Sequence, residues 1–170
     1  MRRTVGILFL SAAILLCLAI ASAFAGTATS NFTVTASVAN TCTISTAGIA
    51  FGVYDPVVTH ASTPLDAAGS VTITCTKGAT TTIALNTGTN GASASGTTRA
   101  MAAGTDYLSY EIYQENGRTT MWGTTGVNLF TPPAAPSKAP RTYQTYGRVP
   151  AAQDVPTGAY TDTVTATVNF

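Results

Sequence analysis

Charge is what this 170-residue chain has least of: Asp, Glu, Lys and Arg together make up 9% of it, against about a quarter in an ordinary soluble domain. The formal net charge is +1, with no basic cluster, which excludes capture of nucleic acid or of an anionic membrane surface by electrostatics. There is one histidine, so a Ser-His-Asp or Cys-His arrangement has only His60 to build on. His60 follows the Asp55-Pro56 turn among polar neighbours and is expected in an exposed loop. The seven carboxylates, Asp55, Asp66, Asp106, Glu111, Glu115, Asp154 and Asp162, sit in no motif that singles out an acid–base pair. Gly88 to Gly96 is glycine-rich, but no Gly-Lys-Ser/Thr follows it to cradle a phosphate. The sequence points to no catalytic residue, no metal site and no cofactor.

Large apolar residues are also scarce outside the first twenty-five positions. Val, Ile, Leu and Phe account for 24 of the 145 residues from Gly26 onward, below the roughly 20% at which disorder becomes a candidate. Disorder also requires high net charge, and here six basic residues face seven acidic ones over that stretch. The chain is therefore expected to fold, but on a thin core that needs help beyond its own burial.

What the first twenty-five residues hold is a short basic start, Met1-Arg2-Arg3, then an apolar run from Val5 to Ile20. Small residues follow, with Ala23 and Ala25 in the A-x-A arrangement of a cleavage site. About 16 apolar residues fall short of the roughly 20 that span a bilayer. Residues 1–25 read as a cleaved export signal, with Cys17 lost inside it. Two cysteines then remain, Cys42 and Cys75, in a chain bound for an oxidising compartment. A disulfide is the expected pairing, with a metal site the lesser alternative, since neither cysteine stands in a C-x-x-C pair. Asn31-Phe32-Thr33 is a glycosylation sequon by pattern alone.

Period two is written along the rest of the chain and period 3.6 hardly anywhere. Phe32, Val34, Ala36 and Val38 alternate with Thr33, Thr35 and Ser37. Val71, Ile73 and Cys75 alternate with threonines, and Leu108, Tyr110 and Ile112 with Ser109, Glu111 and Tyr113. Thr81 to Leu85 is a short β-branched run. Tyr160, Val164, Ala166, Val168 and Phe170 share one parity, interrupted by Asp162. These patterns predict strands that are apolar on one face and solvated on the other. Asn90-Gly91, Asn116-Gly117 and Pro156-Thr157-Gly158 predict turns. Four prolines between Thr131 and Pro140 exclude helix and central strand there and predict a surface loop. The architecture expected is all-β, an antiparallel sandwich in a single domain.

The chain ends on Phe170 in mid-strand, and the stretch after the signal runs straight into the Phe32–Val38 alternation. Two readings stand. Either these are the first and last strands of a complete sandwich, or the sandwich lacks a strand that an extended segment of another chain supplies. The second also accounts for the thin core, because a neighbour would contribute part of the burial.

A series of short motifs runs along the chain. In order they are Phe32-x-Val34-x-Ala36-x-Val38, Asn40-Thr41-Cys42-Thr43-Ile44-Ser45, Phe51-Gly52-x-Tyr54-Asp55-Pro56 and Val71-Thr72-Ile73-Thr74-Cys75-Thr76. Then come Arg99-x-Met101, Leu108-x-Tyr110-x-Ile112-Tyr113, Trp122-Gly123, Tyr146-Gly147-Arg148-Val149-Pro150 and Gly158-x-Tyr160-x-Asp162-x-Val164. This ordered set resembles the spore coat protein U domain family, which also supplies the subunits of archaic chaperone–usher pili. The resemblance implies an incomplete immunoglobulin-like antiparallel β-sandwich completed by donor-strand exchange. It implies residues 26–38 as the N-terminal extension and donor strand, with 39–170 as the pilin-like domain. Phe32, Val34, Ala36 and Val38 then belong to the donor and subunit interface, and Cys42–Cys75 matches the family's disulfide position. Trp122 is expected in the core, with its N–H in need of a partner. Tyr160, Val164, Ala166, Val168 and Phe170 are expected on the last strand, with Asp162 either solvated or paired to Arg148. The partners implied are a periplasmic pilus chaperone, an outer-membrane usher and identical or homologous subunits, with no nucleic acid. The function implied is that of a non-enzymatic subunit of a secreted surface fibre supporting adhesion or biofilm formation. The alternatives are a spore or cell-surface coat protein and a self-complemented secreted binding domain.

Overall fold

The computed structural model describes residues 25–170, so the expected export signal and Cys17 lie outside the described residues. The chain divides between Ser37 and Val38 into two units. In the first, residues 25–37 carry no strand or helix, and Phe32 and Val34 are 87% and 81% exposed. The alternation expected to make a strand there has no ladder, because period two favours a strand only where a partner edge supplies hydrogen bonds.

The second unit is built from seven strands and two three-residue 3-10 turns. The strands are β1 (Cys42–Ala47), β2 (Leu65–Cys75), β3 (Thr82–Leu85), β4 (Arg99–Ala103), β5 (Asp106–Tyr113), β6 (Arg141–Val149) and β7 (Ala166–Asn169). Every pairing is antiparallel. A five-stranded sheet runs in the order β1-β2-β6-β5-β4, and β3 pairs with β7 in a second, two-stranded sheet. Both sheets contribute to one core, in which Val71, Ile73, Leu108, Ile112 and Val149 meet Ile83 and Leu85. The result is a two-sheet antiparallel β-sandwich. The proline-rich stretch from Thr131 to Pro140 has no strand or helix. It is anchored where Ala135 exchanges hydrogen bonds with Gly78 and Ala79 at 2.8 and 2.9 Å.

Trp122 is fully buried. Its indole N–H donates to the Ile83 carbonyl at 2.9 Å, and its ring lies 4.7 Å from that of Phe130. That bond ties the second sheet to the centre of the core. Arg99 is also fully buried. Among the described residues it is the only buried arginine.

Three expectations are corrected. His60 is buried rather than exposed, at 7%. It stacks on Tyr54 with centroids 5.1 Å apart, and its Nδ1–H donates to the Thr63 carbonyl at 2.9 Å. Its polar flanks are turn-formers, and they say nothing of an aromatic partner six residues upstream. Leu108–Ile112 is buried on both faces rather than alternating in and out, because Leu108, Tyr110 and Ile112 face the core while Ser95, Thr98 and Gln153 cover Ser109 and Glu111. The last strand is shorter than its parity: β7 covers only Ala166–Asn169, and Phe170 is 56% exposed.

Cys42 and Cys75 are disulfide-bonded across the β1–β2 pair. β1 has no fully buried residue, so side-chain packing holds it weakly and the disulfide holds it covalently. Closing a loop with a sequence separation of 33 residues stabilises by roughly 3–4 kcal/mol in the chain-entropy model. Replacing both cysteines with serine is expected to lower the unfolding free energy by about that amount, read from urea melts. An unchanged midpoint would mean that β1 is secured some other way.

Candidate functional site

Two adjoining hollows of about 400 and 730 Å³ open beside β1. They share Ile49, Phe51, Met101 and Tyr160 and so form one long cleft. One wall is the end of β1 and the stretch after it, Thr46 to Phe51. The other is the segment leading into β7, Tyr160 to Ala166. Val71, Leu85, Met101, Tyr110 and Ile112 lie between them as an apolar floor. Gly147 lets this floor close up: a Cβ there would sit 2.6 Å from the Phe51 ring, whose edge packs on Tyr110 at 5.9 Å. At the far end, Tyr54 donates from its hydroxyl to the Pro150 carbonyl and accepts from the Gln153 amide, both at 3.0 Å.

The two walls are strand edges with unused hydrogen-bonding capacity. Cys42 and Cys75 face each other with Cα atoms 4.1 Å apart, the spacing of a non-hydrogen-bonded pair. The bonded pairs are then Thr43–Thr74, Ser45–Thr72 and Ala47–Ser70, so Ile44 and Thr46 turn their backbone groups to the open edge. On the opposite wall, the Thr161 amide donates to the Ala102 carbonyl at 3.1 Å. The Thr163 amide donates to Thr89 Oγ1 at 3.3 Å, and that of Thr165 to Asn86 Oδ1 at 2.8 Å. Successive backbone groups of an extended strand point to opposite edges. Tyr160, Asp162 and Val164 therefore direct theirs toward the cleft, and among the described residues none of these amides is hydrogen-bonded. An apolar trough between two free edges is chemically a receptor for one extended chain.

Two carboxylates line the cleft, Asp55 at the Tyr54 end and Asp162 at the other. Asp162 does not pair with Arg148 and is not free in solvent. Arg148 instead makes a bidentate bond to Asp66, with distances of 2.7 and 2.8 Å. Asp162 Oδ1 accepts from the Thr89 amide at 2.9 Å and from the Thr89 hydroxyl at 2.7 Å, while Oδ2 accepts from the Tyr110 hydroxyl at 2.8 Å. Burial alone would raise the Asp162 carboxyl, but the bonds from Thr89 and Tyr110 outweigh it and hold the group below the ordinary aspartate value. Tyr110 moves the other way, pushed up by burial and by the neighbouring Asp162 carboxylate.

Of the residues singled out in the sequence, the structure brings Tyr160, Val164 and Ala166 together on one wall of the cleft. Val168 packs against the core beyond it, and Trp122 lies outside the cleft lining. Cys42 and Cys75 tether the strand of the other wall. Phe32, Val34 and Ala36 lie in the separate N-terminal unit, and Val38 is 84% exposed. The sequence reading missed the cleft residues Ile49, Phe51 and Met101. Phe51 and Met101 were visible only as members of motifs.

The family model of the Spore Coat Protein U domain matches residues 28–167. "Protein U" of Myxococcus xanthus is 42% identical over 164 residues, covering 89% of this chain and 90% of that protein. The solved structures that match include a chain with a TM-score of 0.54 and 22% identity over 78% of this chain. It comes from the CsuC–CsuE chaperone–tip adhesion subunit pre-assembly complex of archaic chaperone–usher Csu pili of Acinetobacter baumannii. This chain spans 40% of the length of that solved chain, and the likeness is one of fold.

Proposed function

The chain belongs to the Spore Coat Protein U domain family, a family of structural proteins, and from that premise we propose that it is a subunit of a surface fibre assembled by strand exchange. Residues 26–38 of one copy fill the cleft of the next, placing Phe32, Val34, Ala36 and Val38 on the apolar floor. A periplasmic chaperone holds the cleft filled before assembly, and an outer-membrane usher exchanges that strand for the neighbour's. The fibre reaches the cell surface and serves adhesion or biofilm formation.

The observation that carries this reading is the cleft between two unbonded strand edges, in a chain whose own alternating segment is exposed. Burying Phe32, Val34 and Val38 stabilises by about 1.5–3 kcal/mol each, and the free edges of Ile44–Thr46 and Tyr160–Val164 supply the ladder. Isolated strand edges of this kind template pairing. The same exchange fits a coat assembled on a spore or cell surface, which the 42% identity to "Protein U" favours as the second reading.

The test compares the chain from Gly26 with one lacking Gly26–Ala36, by size-exclusion chromatography and negative-stain microscopy. Linear, heat-resistant polymers are expected from the first and none from the second. Compact monomers of equal stability from both would exclude strand exchange and leave a self-complemented binding domain.

A further inference from the structure

The wall formed by Tyr160–Val164 is held in place in an unusual way. Between the Ala102–Thr161 bridge and the Leu85–Ala166 pair the backbone ladder is reduced to one bond, from the Asn86 amide to the Thr165 carbonyl at 3.1 Å. Side chains from the Asn86–Asn90 turn supply the rest. Asn86 Oδ1 accepts from the Thr165 amide at 2.8 Å and from the Gly88 amide at 3.1 Å. Thr89 Oγ1 accepts from the Thr163 amide while its own proton goes to Asp162 Oδ1 at 2.7 Å. Asn90 Nδ2 adds a third donor to that oxygen at 3.2 Å. The other carboxylate oxygen takes the Tyr110 hydroxyl, which roots the assembly in β5.

Gly88 makes the approach possible. Its φ of +77° suits glycine, and a Cβ there would lie 2.0 Å from Asp162 Oδ2. The turn, the wall and β5 thus converge on a single carboxylate.

We propose that Asp162 is a positioning residue for strand uptake, a polar latch that keeps the Tyr160–Val164 edge extended and open while the cleft is empty. This rests on the strand-exchange reading of the cleft. An edge without ladder partners would otherwise collapse onto the apolar floor or fray, and the incoming strand would have to reorder it. With the latch closed, the backbone groups of Tyr160, Asp162 and Val164 already face the incoming strand. Once that strand is in place its own ladder holds the edge, so the latch governs the rate of uptake more than the stability of the filled product.

The experiment follows a fluorescent synthetic peptide of residues 27–39 entering the intact protein, alongside amide hydrogen exchange of the unfilled form. Asp162→Ala is expected to slow uptake about tenfold, the rate equivalent of reordering one residue. The Thr163 and Thr165 amides should lose protection, while the filled complex melts within a few degrees of wild type. Asp162→Asn keeps an acceptor for Thr89 and is expected to restore most of the rate. Thr89→Val, which removes the hydroxyl relay without touching the cleft wall, should slow uptake several-fold and covers the case in which Asp162→Ala does not fold. Wild-type rates in folded Asp162→Ala, or in Thr89→Val where the alanine variant does not fold, would overturn the latch. No peptide uptake by wild-type protein would instead sink the strand-exchange reading, and exchange at Thr163 and Thr165 would still report whether Asp162 holds the edge.

Discussion

Arg99→Ala is expected to lower the unfolding free energy by about 3–5 kcal/mol, the usual effect of removing one partner from a buried ion pair. Arg99 is 1% exposed and Glu111 2%. The guanidinium pairs with the Glu111 carboxylate through Nη1. Its Nε donates to the Asn86 carbonyl at 3.0 Å, and its Nη2 to the carbonyls of Leu85 at 3.1 Å and Trp122 at 2.6 Å. One side chain thus ties β4 and β5 to the end of β3 and to the segment carrying the core tryptophan. Its loss leaves the Glu111 carboxylate without its counter-charge and three carbonyls without their donor in a region closed to water. Against a total stability of about 5–15 kcal/mol, the melting temperature should fall by roughly 10–15 °C.

A double variant separates charge from connectivity. Glu111 also accepts from the Thr98 amide at 3.0 Å, the Thr98 hydroxyl at 2.8 Å and the Ile112 amide at 2.9 Å. Replacing the pair by Arg99→Met with Glu111→Leu removes both buried charges but orphans those donors and the three carbonyls. An ion pair that acted through charge alone would be replaced at little cost, since apolar substitutes for such pairs are often neutral or better. Here the double variant should recover less than half of the loss seen in Arg99→Ala, because the unpaired backbone groups remain. Full recovery, measured in urea melts, would show that the carbonyl contacts carry little.

This ion pair marks the limit of what alternation could reveal. Ser109 and Glu111 look like the wet face of a strand, whereas both are buried beside polar partners. Ser109 is bonded to the Ser95 amide through Oγ and to the Gln153 side chain through its backbone. A period-two pattern distinguishes polar from apolar and cannot distinguish solvent from a buried hydrogen-bond network. In a chain with so few charges, Arg99 and Glu111 on adjacent strands were a usable signal, but only once β4 and β5 were known to be neighbours. The strands themselves were legible because β-branched residues and turn chemistry agree along most of their length. Asp162 was legible as an interruption of parity, and its partner was not, since Thr89 lies 73 residues away. Phe32–Val38 shows the converse: the pattern is clear, while the isolated chain offers those residues no ladder.

That last contrast sets up the second large effect. A chain carrying a copy of residues 27–39 after Phe170, joined by a short turn such as Asp-Asn-Gly, and lacking Gly26–Ala36 at its start, is expected to be a monomer. It should melt well above the truncated parent. β7 continues the cleft wall from Ala166 and ends at Asn169. A two- to four-residue turn is therefore enough for the appended strand to fold back antiparallel along the edge of Val164 and Tyr160. Its Phe32, Val34 and Val38 equivalents would cover the floor of Met101, Tyr110 and Ile112, contributing roughly 5–8 kcal/mol before the ordering entropy of the strand is subtracted. Intramolecular delivery also removes the concentration dependence of filling. The grafted chain should neither polymerise nor take up added peptide. Charging the centre of the graft at the Val34 equivalent, with Asp, should abolish the gain by placing a carboxylate against an apolar floor. A graft that leaves the melting temperature and the capacity for peptide uptake unchanged would mean that the cleft does not receive this segment, and that the exposed Phe32–Val38 alternation serves a different surface.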